Sequence, residues 1–174
     1  ASVLITHLSE VLQREADKLL GRGELEQLLE VLAARSPKVV DELLPTVLTH
    51  AELLAVLRGL LRERVSIRDL GRILEALSES ARHGKSLPFL IDQVRERIGP
   101  SIVQKLAGAD QALHAALIDA PSEDTLRRLI VRNEHDVALA PDLPTAQALL
   151  LQLQRARTVL HDQGHAAVVI VPTD

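Results

Sequence analysis

Between Leu53 and Leu77 the chain reads LLAVLRGLLRERVSIRDLGRILEAL, a stretch that admits little besides two helices packed side by side. Leu53, Leu57, Leu60 and Leu61 recur at i, i+4, i+7 and i+8, and Ile67, Leu70, Ile73, Leu74 and Leu77 repeat the pattern. Each segment therefore carries one apolar face at the helical period. Ser66 and Asp69 have the spacing of a capping box, in which the hydroxyl accepts from an orphan backbone N–H and the carboxylate reaches back to the cap. This spacing predicts a second helix from Ser66 to about Ser80. Off the apolar face stand Arg68, Arg72, Glu75 and Glu79, a stripe of both signs. Spacing alone favours a solvated face laced by i,i+3 and i,i+4 pairs. The mixed sign makes it a poor anion cradle but suits it to another protein's surface.

The same period organises the chain on either side. Val3 to Leu20 reads as one helix, with Leu4, Leu8, Val11, Leu12 and Leu19 on a face and Gly21 and Gly23 ending it. Glu24 to Ala34 forms the next, and Ser36-Pro37 supplies a cap and first-turn proline for a short helix to Leu44, closed by Pro45. Thr49 and Glu52 repeat the capping-box spacing for a helix to about Glu63. A further helix enters at Leu87-Pro88, is interrupted or kinked at Gly99-Pro100 and finishes near Leu106. Beyond the boundary at Gly108 to Gln111 the period shortens. Ala112 to Ile118 and Ala166 to Val171 read as buried strands, and Asp136 to Ala140 as a weaker third. Between them lie a helix opening at Pro121 and another gathering Ala146, Leu149, Leu150, Leu153 and Leu160 before Gly164. The predicted fold is α + α/β: an all-helical subdomain over 1–107, then a small β-α-β-α-β layer subdomain over 108–174 with parallel pairing.

Composition removes several functions. The chain is 47% hydrophobic, enough for a core, yet Phe89 is the only aromatic residue and Met, Trp, Tyr and Cys are absent. With a net charge of -4 and no aromatic platform, nothing attracts phosphates or stacks bases, so no nucleic acid is expected. The lack of cysteine excludes disulfides and thiolate zinc sites. No P-loop, dinucleotide fingerprint, nucleophile elbow or HExxH occurs, so neither enzyme activity, a cofactor nor a small-molecule ligand is expected. His161 and His165 stand four apart, but Gly164 breaks the helix between them, which favours ordinary surface histidines over a metal site. Gly21 and Gly23 follow a helix and not a strand, the place of a C-cap and turn and not of a phosphate loop. Phe89, beside Leu90 and Val94, reads as core. No stretch approaches the length of a membrane span, and Ala1 to Val11 lacks the layout of a signal peptide.

Three blocks in order carry a family resemblance: GRGELEQLLEVLAARSPKVVDELLP (Gly21 to Pro45), VLRGLLRERVSIRDLGRILEAL (Val56 to Leu77) and QVRERI (Gln93 to Ile98). Together they resemble the cytoplasmic domain of the export-gate proteins of bacterial type III secretion, the FlhA and SctV types. VLRGLL and the run SEDTLRRLI (Ser122 to Ile130) resemble the injectisome branch more than the flagellar one. The resemblance implies the cytoplasmic part of a polytopic protein of the bacterial inner membrane, with a membrane region upstream and a continuation past VVIVPTD. It implies a homo-oligomeric ring that receives chaperone-substrate complexes and the stalk protein of the export ATPase. In a cyclic assembly the contacts are head-to-tail, and Glu63, Arg68, Asp69, Arg72 and Glu75 are the residues expected to set them. The rival reading is a stand-alone helical interaction adaptor whose α/β tail only stabilises it.

Overall fold

A computed structural model describes residues 2–108, 110–132 and 137–170. The chain divides into two compact units, 1–102 and 103–174. The first is all-helical: α1 (Ser2–Arg14), α2 (Ala16–Leu19), α3 (Arg22–Ala33), α4 (Pro37–Leu43), α5 (His50–Arg62), α6 (Leu70–Ser80) and most of α7 (Leu87–Leu106). The second holds the end of α7, then β1 (Ala116–Leu117), α8 (Ala120–Leu129), β2 (Ile130–Arg132), β3 (Val137–Leu139), α9 (Leu143–Asp162) and β4 (Val169–Ile170). The α + α/β class read from the sequence is the observed one.

In the first unit α5 and α6 supply the centre of the core. Leu53, Val56, Leu57, Leu60, Ile73, Leu74 and Leu77 have no exposed surface. At about 1.5–3 kcal/mol for each large aliphatic side chain taken from water, this face holds the unit together. Thr49 caps α5 as the spacing predicts: its hydroxyl accepts from Glu52 N–H at 3.2 Å, and Glu52 Oε2 accepts from Thr49 N–H at 2.7 Å. Gly59 lets α7 come close, since a Cβ there would lie 2.3 Å from Ile91 Cδ1. Phe89 is half-buried against the core.

Four local readings are corrected. Val3 to Leu20 is not one helix: it breaks at Glu15, and the short α2 is held by α5. Arg62 Nε donates to Asp17 Oδ2 at 2.9 Å and Arg58 Nε donates to the Leu20 carbonyl at 2.8 Å, so tertiary bonds override helix continuation. Gly21 is the N-cap of α3 and Gly23 lies inside that helix; Glu24 Oε2 accepts from Gly21 N–H at 2.9 Å. The second central helix starts at Leu70 with Asp69 as N-cap and no side-chain capping bond, not at Ser66. Arg64 in the left-handed region (φ 59°) ends α5, Val65 N–H returns to the Leu60 carbonyl, and Val65 and Ile67 lie against the core, so the segment runs on unwound. Finally, α7 is not interrupted at Gly99-Pro100 but runs through it as one helix with Pro100 inside.

The second unit has two small sheets. β1 and β4 pair in parallel, Ala116 beside Val169 and Leu117 beside Ile170. The weak third strand lies at β3, but it pairs antiparallel with β2, Ile130 beside Leu139 and Arg132 beside Val137. This antiparallel pair doubles the middle strand of the expected β-α-β-α-β order, because the backbone leaves α8 in extended conformation at Ile130 and continues as β2. Asp136 and Val171, at the edges of two strand readings, lie outside the described residues.

Candidate protein-interaction surfaces

The charged stripe is built on the loop between α5 and α6 and on the outer face of α6. Burying Leu70, Ile73, Leu74 and Leu77 turns Arg72 and Glu75 to solvent, as the helical period requires. Asp69 and Arg72 come together, Arg72 Nε lying 3.3 Å from Asp69 Oδ2 with both side chains at least half exposed. Glu63, at the end of α5, turns instead to α7 and meets Arg95 Nη1 at 2.8 Å; Arg95 also pairs with Asp92. Arg68 is exposed and makes only a backbone bond, its N–H donating to Ser66 Oγ at 3.4 Å. Among the described residues Arg68 and Glu75 carry no ion pair. Two of the five are thus joined, one is committed to a neighbouring helix and two project free charge. Exposed pairs of this kind contribute about 0–1 kcal/mol to their own fold.

The electrostatics of the described residues serve structure. Every carboxyl with a resolved shift is lowered. Asp17 is held down first by the Arg62 hydrogen bond, and Glu52 first by Thr49 N–H. Asp119 and Asp142 are lowered first by the Ser122 and Thr145 side chains, at the N-termini of α8 and α9. Asp17 and Ser80 are the buried polar residues among them, and no buried side-chain nitrogen or oxygen among the described residues lacks a partner. His161 is exposed, paired loosely with Asp162 at 3.7 Å, whereas His165 stacks on His114. Among the described residues no group of three metal-ligating side chains occurs, and no helix is long and apolar enough to cross a membrane.

A second surface went unread in the sequence. In the 103–174 unit a groove of about 750 Å³ lies between β1, α8 and α9, lined by Leu117, Ile118, Leu126, Leu149, Leu150 and Leu153 among others. Its one charged side chain, Asp119, is occupied in capping α8 at 3.1 Å from Ser122 N. Leu149, Leu150 and Leu153, which the helical period gathers on α9, line this open groove, and α9 buries only Leu160. The signal was present in Leu143, Leu151 and Val159, which make α9 apolar on more than one face. The lining suits apolar side chains of a polypeptide and offers no cradle for phosphate.

The chain matches the FHIPEP family over residues 1–174. It is 39% identical over 140 residues to "Flagellar biosynthesis protein FlhA" of Caulobacter vibrioides, a match covering 80% of this chain and 20% of that protein. Among solved structures, the Chlamydia pneumoniae CdsV and CdsO protein complex contains a chain 28% identical, with TM-score 0.79, over 99% of this chain and 47% of that one. The nonameric SctV-C of EPEC shares the fold at 23% identity and TM-score 0.77, covering 86% of this chain and 45% of that one. This chain thus spans about half the length of those solved chains and a fifth of the flagellar relative. With the match running along all 174 residues, the chain belongs to the FHIPEP family, the export-gate family that includes the FlhA proteins.

Proposed function

We propose that this chain is a non-enzymatic docking module of a type III secretion export gate, in the cytoplasmic region of a bacterial inner-membrane protein. It assembles with copies of itself into a ring and receives chaperone-substrate complexes and the stalk protein of the export ATPase. The observation that carries the reading is the family match over residues 1–174. The nonameric state of SctV-C supports the ring, and the pairing of CdsV with CdsO supports a protein partner of the stalk type. The exposed two-signed stripe and the apolar groove suit protein partners, and the lowered carboxyls give no support to catalysis. Between the two branches we favour the injectisome, on VLRGLL and SEDTLRRLI; the flagellar match is the counterweight. Deleting the gene separates them, since an injectisome gate leaves motility intact and a flagellar gate abolishes it.

The stripe Glu63, Arg68, Asp69, Arg72 and Glu75 is the proposed ring contact. Reversing Arg68→Asp or Asp69→Arg in the full-length protein is expected to block secretion while the purified domain melts as before. An exposed charge contributes about 0–1 kcal/mol to its own domain, whereas like charges facing across an interface cost several kcal/mol. Normal secretion from both reversals removes the stripe as the working surface.

A further inference from the structure

The entries to β1 and β4 are joined by two histidines. His114 and His165 stack face to face, ring centroids 3.6 Å apart and planes within 10°. His114 stands two residues before β1 and His165 four before β4. Each is seated by backbone. On one side Gly108 N–H donates to the Ala112 carbonyl, Ala112 N–H donates to Asp110 Oδ1 at 3.1 Å, and Gln111 takes the left-handed region. On the other, Gly164 at φ +77° ends α9 and His165 N–H returns to the Leu160 carbonyl at 2.9 Å. The strands themselves are short and weakly tied, Ala116 N–H donating to Val168 at 2.9 Å and Ile118 N–H to Ile170 at 3.4 Å. A pair so small is marginal without an added fastening.

We propose that the His114–His165 stack is a proton-operated clasp on this parallel pair, closed while at most one ring is charged and opened when both are. The charge balance around the rings gives the reason. Asp110 Oδ2 lies 2.8 Å from His114 Nε2 and can offset one imidazolium. The Asp110 carboxyl is held below the usual range, first by that His114 bond and then by Ala112 N–H, so it remains an anion in mild acid. Among the described residues His165 has no carboxylate partner, and Lys105, from the end of α7, lines the small cavity at the rings and adds a positive charge there. His161 and Asp162, in the last turn of α9, face each other at 3.7 Å. A second imidazolium therefore meets a like charge at stacking distance and a lysine beyond it, with no carboxylate among the described residues paired to offset it. Half-exposure of His114 lets protons reach the site. Because Ala116, Leu117 and Val169 also line the apolar groove, opening the clasp loosens one wall of that groove.

The test is amide hydrogen exchange by NMR on the 174-residue chain, corrected for intrinsic rates. Protection of Ala116 and Ile118 N–H is expected to fall by about tenfold or more between about pH 7.5 and pH 5. His165→Phe keeps a ring on His114 and removes the second charge, so it should hold its protection at both pH values. Asp110→Asn leaves the first charge unmatched and should open the pair at a higher pH than the parent chain. A parent chain with pH-independent protection overturns the proposal. So does a His165→Phe variant that keeps the parent's pH dependence, or, should that variant fail to fold, an Asp110→Asn variant that opens at the parent's pH.

Discussion

Leu74 and Arg72 stand two residues apart on α6 and have opposite fates, Leu74 without exposed surface and Arg72 out in solvent beside Asp69. Truncating the first leaves a cavity and truncating the second leaves a solvated stub. Leu74→Ala is expected to cost about 2–5 kcal/mol and Arg72→Ala at most about 1 kcal/mol. Thermal melts followed by far-ultraviolet circular dichroism measure both, since the chain has no Trp or Tyr to report fluorescence. Equal losses would reverse the assignment of the two faces. The buried leucines of this helix were legible from spacing because burial on a helix repeats with its period. Local pairs such as Asp69 with Arg72 follow from the same spacing, but the remote ones do not, because which carboxylate those guanidinium groups find depends on elements far off in sequence: Arg62 takes Asp17, and Arg95 takes Glu63.

At the scale of elements, two contrasts are testable. α5 and α7 approach at Gly59, where any larger side chain meets Ile91. Gly59→Val combines this overpacking with a β-branched residue in a helix and is expected to cost about 1–3 kcal/mol, read from the same melts. The caps of α8 and α9 give a pH dependence. Asp119 Oδ1 accepts from Ser122 N–H at 3.1 Å and Asp142 Oδ1 from Thr145 N–H at 2.9 Å, and both carboxyls are lowered. A carboxyl depressed in the folded state stabilises fully above its unfolded value of about 3.9 and loses that contribution as pH falls through the lower folded value. The helical signal of α8 and α9 should therefore weaken as pH falls from about 4 downward. In a variant with both caps changed to Asn, which remains a good cap without a charge, that acid-dependent part should vanish.

For the whole molecule, the distribution of the core decides behaviour. Of the buried hydrophobic residues among those described, Leu160 alone belongs to the 103–174 unit; the rest lie in the 1–102 unit. Burial is the main favourable term in folding, so the second unit should open first. Denaturant titration is expected to show an early transition that shifts on changing Leu160→Ala and a later one that shifts on changing Leu74→Ala. Coincident transitions would mean the two units unfold as one. The same imbalance leaves the groove of the second unit apolar and open, the kind of surface a docking module uses.

Sequence by itself determined most helices of the first unit, the α + α/β class and the exposed face of α6 that carries Arg72 and Glu75, because periodic apolar residues and the Thr49 and Glu52 cap act over a few neighbouring positions. It also carried the family through the order of three blocks. Tertiary structure alone decided the break at Glu15, the late start of α6 at Leu70 and the β2-β3 hairpin. It also decided the groove on α9 and the stack of His114 on His165. The break at Glu15 and the histidine stack depend on partners that the fold brings together from 45 and 51 positions away, Arg62 for Asp17 and His165 for His114. No local period encodes such a meeting.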